Sequence, residues 1–311
     1  MMYKFILKGV LQGVGFRPFI YNQCKKNKLK GYVQNIGEGV IVEVDKKDEF
    51  INILKNLPPL ARLDSYKIVA TDNKFDDFSI KESFGGGFSE IPPDLFLCSD
   101  CLSELNNKEN RRFKHFFITC TNCGPRFSAT LKNPYDRNTT TMSEFIMCEN
   151  CLKEYKSPED RRYHAQTIAC KNCGPRLSFF SNEKKVIEEK TDIDKIKLAC
   201  GILLNNEVIA IKGIGGFHLA ALTTQDGIIN LRETVKRKHK PFAVMCKDLN
   251  MIKSICYVNN KEEELLTSKE RPIVILKKIN NSEFKDVSEL NSLGIMLPYT
   301  GLHYLLFDFI N

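Results

Sequence analysis

The sequence predicts an α+β protein of several domains, and three observations carry that prediction. The first ninety residues alternate strand and helix patterns in the order βαββαβ, which is typical of a ferredoxin-like sandwich. The middle of the chain holds eight cysteines in four Cys-x-x-Cys pairs, and a second α/β pattern begins after residue 190. We therefore expect three domains, over residues 1–90, 91–180 and 191–311.

Hydrophobic periodicity assigns the elements of the first segment. The expected strands are 3–10, 31–36, 39–46, 64–70 and 78–81, and the expected helices are 18–29 and 47–57. The second and third strands form a pair, since only Gly37-Glu38-Gly39 separates them.

The loop between the first strand and the first helix has the composition of an anion site. It reads Gln12-Gly13-Val14-Gly15-Phe16-Arg17 and is followed by Pro18. Its two glycines can adopt backbone angles closed to other residues, so that consecutive amides point into one concavity, and Pro18 suits the first turn of a helix. An arginine at the rim of a helix N-terminus favours a bound anion. Alone, the pattern also fits a tight connection with no ligand.

The four cysteine pairs form an internal repeat. Eighteen residues separate the pairs within each copy and the copies are offset by fifty, in the order Cys98/Cys101, Cys120/Cys123, Cys148/Cys151 and Cys170/Cys173. The register extends beyond the cysteines, because Arg111-Arg112 recurs as Arg161-Arg162 and Gly124-Pro125-Arg126 as Gly174-Pro175-Arg176.

Paired Cys-x-x-Cys knuckles supply the four sulfurs of a tetrahedral metal site. Disulfides or ordinary buried thiols are the alternative, but matched spacing in four pairs favours two zinc ions. With sulfur at all four positions no place remains for water, so we expect both ions to be structural. Four knuckles can pair in three ways, and pairing within each copy closes the shorter loop.

After a polar linker at 181–191 the third segment shows an α/β pattern. The expected helices are 194–205 and 226–238, and the expected strands are 207–212, 242–246 and 271–278. Lys212 precedes a turn, Gly213-Ile214-Gly215-Gly216, that could hold a second anion or could simply be a tight strand exit. His218 is a lone histidine in an apolar context, and we interpret it as structural.

Composition excludes several classes of protein. The N-terminal apolar run ends at Lys8 with no small-residue cleavage site after it, and no stretch approaches the roughly 20 apolar residues of a membrane span. We therefore expect a cytoplasmic protein with no membrane partner. The formal charge of +8 would fall to about +4 with eight thiolates and two zinc ions, which leaves only a mild basic excess.

The 12–17 loop resembles the phosphate loop of acylphosphatases. In that family an asparagine stands at a strand end eighteen residues after the arginine, and Asn35 occupies that position here. The resemblance implies that Asn35 orients the attacking water while Arg17 and the loop amides hold the phosphoryl oxygens. Without it, Asn35 would be interpreted as a turn residue beside Gly37. Positioning and charge stabilisation suffice to hydrolyse an activated acyl phosphate.

The order of segments resembles the HypF-type carbamoyltransferases of nickel-iron hydrogenase maturation. The acylphosphatase-like loop, the doubled cysteine unit and the run from Ile211 to Leu219 carry the likeness, with Pro134-Tyr135-Asp136-Arg137, Lys240-Pro241 and Gly294 to Pro298. The resemblance implies carbamoyl phosphate hydrolysis in the first domain. It implies that a YrdC-like third domain then converts carbamate to carbamoyl adenylate with ATP and magnesium, for transfer to a cysteine of a partner maturation protein. Its nucleotide-binding residues would be Lys212, Gly213, Gly215, Gly216 and Arg237.

Two departures from the family pattern concern the third segment. An expected Arg-Lys pair reads Thr234-Val235, with the basic residues at Lys236, Arg237 and Lys238. The sequence ends at Asn311 where the family continues, so we expect a truncated YrdC-like domain and no transferase domain.

Two alternative functions stay open: a zinc-stabilised module that binds RNA, and an adenylate-forming enzyme of tRNA modification. Phosphate release from carbamoyl phosphate, measured without ATP or RNA, distinguishes the expected hydrolase from these two alternatives.

Overall fold

The computed structural model describes residues 1–87, 89–181 and 191–310, so most of the expected linker at 181–191 lies outside the described residues. The described chain forms two compact units. The first comprises residues 1–94 and 119–174, and the second comprises 95–118 and 175–311. No helix in the described ranges combines the length and the apolar character needed to cross a bilayer.

The first unit begins with the predicted βαββαβ order. Its elements are β1 (Met2–Val10), α1 (Phe16–Lys26), β2 (Gly31–Ile36), β3 (Gly39–Val44), α2 (Lys47–Leu54), β4 (Arg62–Thr71) and β5 (Phe78–Ile80). The strands form one sheet in the order β4-β1-β3-β2-β5, antiparallel except where β5 pairs with β2. This confirms the ferredoxin-like fold.

The core of this domain lies between the sheet and its two helices. Alternate residues of β1 point inward because side chains on a strand alternate between faces, and Phe5 and Leu7 are fully buried. Ile20 of α1 and Phe50 of α2 pack onto them, with the Phe5 and Phe50 ring centroids 4.7 Å apart in an edge-to-face arrangement. The sheet therefore fixes the end of β1, where the 12–17 loop begins.

The cysteine repeat contributes one short helix per copy. In the second unit α3 spans Ser99–Asn106, and in the first unit α4 spans Glu149–Lys156. Cys98 and Cys148 are their N-cap residues, with nearly identical backbone angles (φ −70° and −68°, ψ 161° and 163°). The two copies therefore share one local structure, as the repeat predicted.

The remaining elements of the second unit follow the α/β pattern only in part. They are α5 (Asp192–Leu204), β6 (Ile209–Lys212), β7 (Phe217–Ala220), α6 (Gln225–Val235), β8 (Ala243–Met245), α7 (Leu249–Ile255), α8 (Asn260–Thr267), β9 (Val274–Lys277), β10 (Ser292–Met296) and α9 (Gly301–Phe307). Strand β10 lies between β8, to which it is parallel, and β9, to which it is antiparallel.

The structure adds one strand that was not predicted in this segment and shortens one expected helix. The glycine turn after Lys212 leads directly into β7, with Gly213 donating its amide to the Gly216 carbonyl at 2.9 Å, so β6 and β7 form an antiparallel hairpin. The helix expected over 226–238 ends at Val235, because Lys236 adopts left-handed angles (φ 53°) and closes it. Arg237 therefore follows the helix.

Candidate functional site

The 12–17 loop has the backbone geometry that its glycines predicted. Gly13 and Gly15 have φ of 73° and 74°, in the left-handed region that favours glycine. Gly15 is the N-cap of α1, and this helix has neither a side-chain cap nor an acidic residue in its first turn. Because the first amides of a helix lack intrahelical partners, this end of α1 suits an anionic ligand.

Gln12 fixes the loop against the β2–β3 turn. Its Nε2 donates to the carbonyls of Ile36 and Gly39 at 2.8 and 2.9 Å, and its Oε1 accepts the Tyr135 amide at 2.8 Å. Gln12 is 1% exposed, so these bonds satisfy a buried amide. The loop is thereby held beside residues 133–137, which follow the first pair of knuckles and which we call the roof segment.

Arg17 contacts the roof segment with its guanidinium. Nη2 donates to Asp136 Oδ1 at 2.6 Å and to the Tyr135 carbonyl at 3.2 Å, while Nη1 donates to Ser83 Oγ at 3.2 Å. The side chains of Arg17 and Asp136 are 8% and 21% exposed. The predicted anion-binding arginine is therefore present, buried, and paired with an internal carboxylate.

Asn35 lies beside Arg17 at the end of β2. Its Nδ2 donates to the Tyr135 carbonyl at 3.2 Å, the same oxygen that accepts from Arg17. Asn35 is 1% exposed, and its Oδ1 has no hydrogen-bond partner within residues 1–87, 89–181 and 191–310. A buried acceptor with a free lone pair can hold a water molecule.

Residues of the cysteine repeat complete the pocket around the loop. The cavity has a volume of about 20 Å³, which is room for about one water molecule. It is lined by Leu11, Gln12, Gly13, Gly15, Phe16, Arg17, Pro18, Arg126, Tyr135, His164 and Gln166. Arg126 donates through Nε to the Gly13 carbonyl, so a second arginine braces the loop from the repeat.

Burial and charge set the ionisation of the lining groups. Burial, reinforced by the nearby Arg17 charge, lowers the pKa of His164 to about 4, so its imidazole is neutral at neutral pH. Burial also raises the pKa of the Tyr135 phenol, which is therefore neutral as well. The cationic groups lining the pocket are thus its arginines.

Each copy of the repeat brings its own four cysteines together. In each set of four, all sulfurs lie within 4.8 Å of one another. The first set is Cys98, Cys101, Cys120 and Cys123, and the second is Cys148, Cys151, Cys170 and Cys173. Four of the sulfur–sulfur separations, for Cys120–Cys123, Cys148–Cys170, Cys170–Cys173 and Cys151–Cys173, are 3.6 to 3.7 Å. Four sulfurs about 2.3 Å from a tetrahedral zinc lie about 3.8 Å apart, whereas a disulfide needs about 2.05 Å. The two clusters therefore fit structural zinc, paired within copies as expected.

The knuckle glycines are required by close packing. A Cβ on Gly124 would lie 2.5 Å from Thr119 Cγ2, and one on Gly174 would lie 2.7 Å from Ala169 Cβ. Asn122 and Asn172 donate their amides to the sulfurs of Cys120 and Cys170. Despite the opposing effect of burial, hydrogen bonds from the Cys151 backbone and neighbouring thiols lower the pKa of Cys148 to about 7. The Cys148 sulfur is thus suited to serve as a thiolate ligand.

The residues proposed for nucleotide binding lie in the second unit. Lys212 ends β6 with its Nζ 5.1 Å from the Phe217 ring centroid, and Arg237 lies 5.2 Å from the Phe242 ring. A Cβ on Gly213 would lie 2.5 Å from the Tyr299 hydroxyl, so this turn must pass close to Tyr299. That hydroxyl is also 2.9 Å from His218 Nε2. His218 therefore contacts Tyr299, the residue against which Gly213 packs.

Sequence reasoning missed several residues around the loop. Ser83, His164 and Gln166 carry no local signal of their own, and Arg126 was noted only as part of the repeated Gly-Pro-Arg motif. Tyr135 and Asp136 do, because the Pro134 to Arg137 motif resembled the family outside any zinc knuckle. A motif with no assigned role was the clue to the roof segment.

Three family models match successive parts of the chain. The model described as "Acylphosphatase" matches residues 3–80, and the "HypF finger" model matches 97–130 and 147–180. The Sua5/YciO/YrdC model, described as "Telomere recombination", matches residues 201–311. Each match falls in a different part of the chain, and none of them overlaps another.

Individual relatives extend this likeness over the whole chain. The probable carbamoyltransferase HypF of Methanocaldococcus jannaschii is 48% identical, with 99% of this chain and 42% of the relative aligned. An acylphosphatase of Caldivirga maquilingensis is 36% identical over 86 residues, covering 25% of this chain and 90% of that protein. The crystal structure of full-length HypF in the phosphate- and nucleotide-bound form matches with a TM-score of 0.92 at 40% identity, covering 100% of this chain and 41% of that one.

The chain spans about two fifths of the length of the HypF relatives that it matches. Along the chain, the match to the acylphosphatase model is followed by the matches to the HypF finger model and then by the match to the Sua5/YciO/YrdC model. The chain therefore belongs to the HypF carbamoyltransferase family.

Proposed function

We propose that this chain hydrolyses carbamoyl phosphate to carbamate and inorganic phosphate at the 12–17 loop. The observation that carries the proposal is the convergence of Arg17 and Asn35 on one oxygen, the Tyr135 carbonyl, beside the N-terminus of α1. The guanidinium of Arg17 can bind a phosphoryl oxygen, and the side-chain amide of Asn35 beside it can position an attacking water.

The roles follow from the donors available. Arg17 and the α1 amides hold the phosphoryl oxygens, and Asn35 Oδ1 accepts a hydrogen bond from the water that attacks phosphorus. The bond between phosphorus and the bridging oxygen breaks, and carbamate leaves with that oxygen. Since the charge that develops is stabilised by groups already in place, the reaction needs no protein nucleophile.

The first domain serves a longer sequence of reactions in this proposal. In the full-length proteins of the family, as this proposal has it, carbamate passes to the complete YrdC-like domain, where ATP with magnesium converts it to carbamoyl adenylate. Lys212 and the 213–216 turn are this chain's candidate residues for that site. The carbamoyl group is then transferred to a cysteine of a maturation protein of nickel-iron hydrogenase. The related full-length HypF structure is described as phosphate- and nucleotide-bound, which is consistent with a family that binds both kinds of ligand. Residues 1–90, 91–180 and 191–311 stay our assignment of domains.

The two four-cysteine clusters hold the middle of the chain together in this proposal. When bound, zinc supplies a fixed tetrahedral cross-link and no open coordination position. The second cluster bears on the proposed site, because His164 and Gln166 lie between its knuckles and line the pocket. A cytoplasmic, reducing setting is supported by the eight cysteines gathered in two metal-type clusters, because thiolate ligands of this kind are typical of reducing compartments.

RNA binding by the repeat has weaker support. Arg112 and Arg162, which recur between the two copies, are only 1% and 4% exposed. Arg162 donates through Nε to the Thr119 carbonyl at 2.9 Å and so braces the fold. Buried arginines that serve backbone carbonyls offer little to a phosphate backbone.

The test is phosphate release from carbamoyl phosphate with neither ATP nor RNA present. Release that depends on the chain supports the proposal, and Asp64→Asn serves as a surface control. A chain that releases phosphate only when ATP is supplied would instead support the adenylate-forming rival. A folded, zinc-loaded chain that releases none under either condition contradicts the proposed hydrolysis.

A further inference from the structure

The roof segment occupies the space in front of the proposed catalytic pair. Arg17 Nη2 is bonded to both an Asp136 carboxylate oxygen and the Tyr135 carbonyl, and Asn35 Nδ2 is bonded to that same carbonyl. These two oxygens use the donor groups of Arg17 and Asn35 that a phosphoryl group at this site would need. The remaining cavity of about 20 Å³ leaves room for about one water molecule beside these bonds.

The roof segment is anchored at both ends, and its anchors do not depend on Arg17. Asn133 donates to the Ser89 carbonyl at 3.2 Å. The Arg137 guanidinium donates to three backbone carbonyls, those of Gln166, Ile168 and Phe145, at 2.6 to 2.9 Å. The carboxylate between these anchors can therefore leave Arg17 without the segment losing its attachment.

We propose that Asp136 is an internal anion that closes the Arg17 site until a phosphoryl dianion displaces it. The inference rests on the proposed phosphate site and adds the residue that controls entry to it. A carboxylate with one negative charge satisfies the buried guanidinium in the free protein, because an unpaired buried charge is costly. A phosphoryl group with more charge and more acceptor oxygens competes for the same donors. Asp136 thereby makes the site selective for highly charged anions.

The side chain of Asp136 is suited to such an exchange. It is 21% exposed, so solvent reaches it, whereas the Arg17 side chain is 8% exposed. Asp136 also forms a capping box with Thr139 at the start of the 3₁₀ turn Arg137–Thr139. A carboxylate released from Arg17 therefore keeps a partner within its own segment.

The competition predicts an increase in affinity when the carboxylate is removed. Asparagine at position 136 preserves the cap, since Asn is a good N-cap residue, but it carries no charge. We expect Asp136→Asn to bind inorganic phosphate about tenfold tighter than the wild type, which corresponds to about 1.4 kcal/mol. Asp136→Ser, which also caps, should bind phosphate with similarly increased affinity. Asp64→Asn removes an exposed carboxylate paired with Arg62 and should leave the affinity unchanged.

The experiment is isothermal titration calorimetry of the zinc-loaded chain with inorganic phosphate. Tighter binding by both Asp136 variants, with no change in Asp64→Asn, supports the proposal. Equal or weaker binding by the Asp136 variants overturns it, since that result means that the carboxylate positions Arg17 for the ligand. Arg17→Ala tests the phosphate site separately from the role of Asp136. If this variant loses phosphate binding, the assignment of the phosphate site is supported even when the Asp136 variants bind no more tightly than the wild type. If phosphate binds to no variant, or binds Arg17→Ala as well as wild type, the proposed function fails and the Asp136 proposal fails with it.

Discussion

The side chains of Arg17 and Asn35 donate to one acceptor, the Tyr135 carbonyl oxygen, each at 3.2 Å. One residue begins a helix and the other ends a strand, and the sheet brings them to the same edge of the ferredoxin-like domain. Because both donors reach one point, a ligand oxygen at that point would meet a positive charge and an amide together. This geometry connects the fold with the proposed chemistry.

Asn35→Ala should lower the rate of phosphate release more than it weakens phosphate binding. If Asn35 directs the water, its loss should cost about a hundredfold or more in rate, while Arg17 and the α1 amides still hold the anion. Steady-state rates and product inhibition by phosphate measure the two effects. Asn22→Ala is the matched control, because the Asn22 amide also donates to a backbone carbonyl, that of Pro158, away from the loop. An affinity loss as steep as the rate loss would mean that Asn35 shapes the site.

The chain should carry two zinc ions, and single cysteine substitutions should remove them one at a time. Cys120→Ser and Cys170→Ser each remove one sulfur from one cluster of four, so each variant should retain one ion. Metal content by inductively coupled plasma mass spectrometry gives the count. Cys200→Ser changes a buried thiol outside both clusters and should retain both ions. One substitution that releases both ions, or a folded chain with fewer than two, contradicts two independent clusters.

His164 should make the stability of the protein pH-dependent. Its native pKa of about 4 lies below the ordinary value of 6.5, so between these values the unfolded chain binds a proton that the native state does not. The free energy of unfolding should therefore be undiminished above pH 6.5 and decrease toward pH 4, by up to about 3 kcal/mol.

Denaturant unfolding at several pH values measures this dependence. His164→Asn removes the titration while suiting the left-handed angles of position 164 (φ 54°), so it should flatten the curve in this window. Comparison of the two proteins cancels the acid release of zinc that both undergo. Parallel curves for the variant and the wild type would contradict the buried, neutral histidine.

Gly15→Ala should destabilise the first domain through its backbone. A Cβ there would meet Thr121 Cβ at an ordinary 3.5 Å, so the cost comes from φ of 74° and should be about 1–2 kcal/mol. Gly86→Ala is the control, because a Cβ on Gly86 has open space around it and its φ is not in the left-handed region. Chemical denaturation of both variants makes the comparison. Equal stability of the two would mean that the loop does not hold the angles described.

The sequence predicted what is encoded locally. The apolar-patterned elements of the first domain, the two cysteine clusters and the left-handed glycines all follow from residues near one another or from a repeat. Arg17 and Asn35 were predicted from a motif in which they stand eighteen residues apart. The fold brings the two side chains to the same acceptor oxygen. These are features in which periodicity, turn chemistry and family resemblance agree.

The closure of the site could not be predicted in this way. Tyr135 and Asp136 reach Arg17 from more than a hundred residues away, and nothing in their neighbourhood indicates which surface they cover. His164 and Gln166 line the pocket from the loop between the two Cys-x-x-Cys pairs of the second cluster. Strand β7 was missed because its four residues after a glycine turn are too few for a periodic signal.

The measurement that tests the account most directly is phosphate release from carbamoyl phosphate by the wild type and Arg17→Ala, without ATP or RNA. Loss of one transition-state donor should lower the rate at least a hundredfold, about 3 kcal/mol, and Arg17→Lys should restore little because an ammonium lacks the bidentate fork. Circular dichroism and zinc content check that each variant is folded, since the alanine also leaves Asp136 without its partner. We predict release by the wild type and near loss in both variants. Undiminished release by a folded Arg17→Ala variant would contradict the assignment of this loop as the catalytic site.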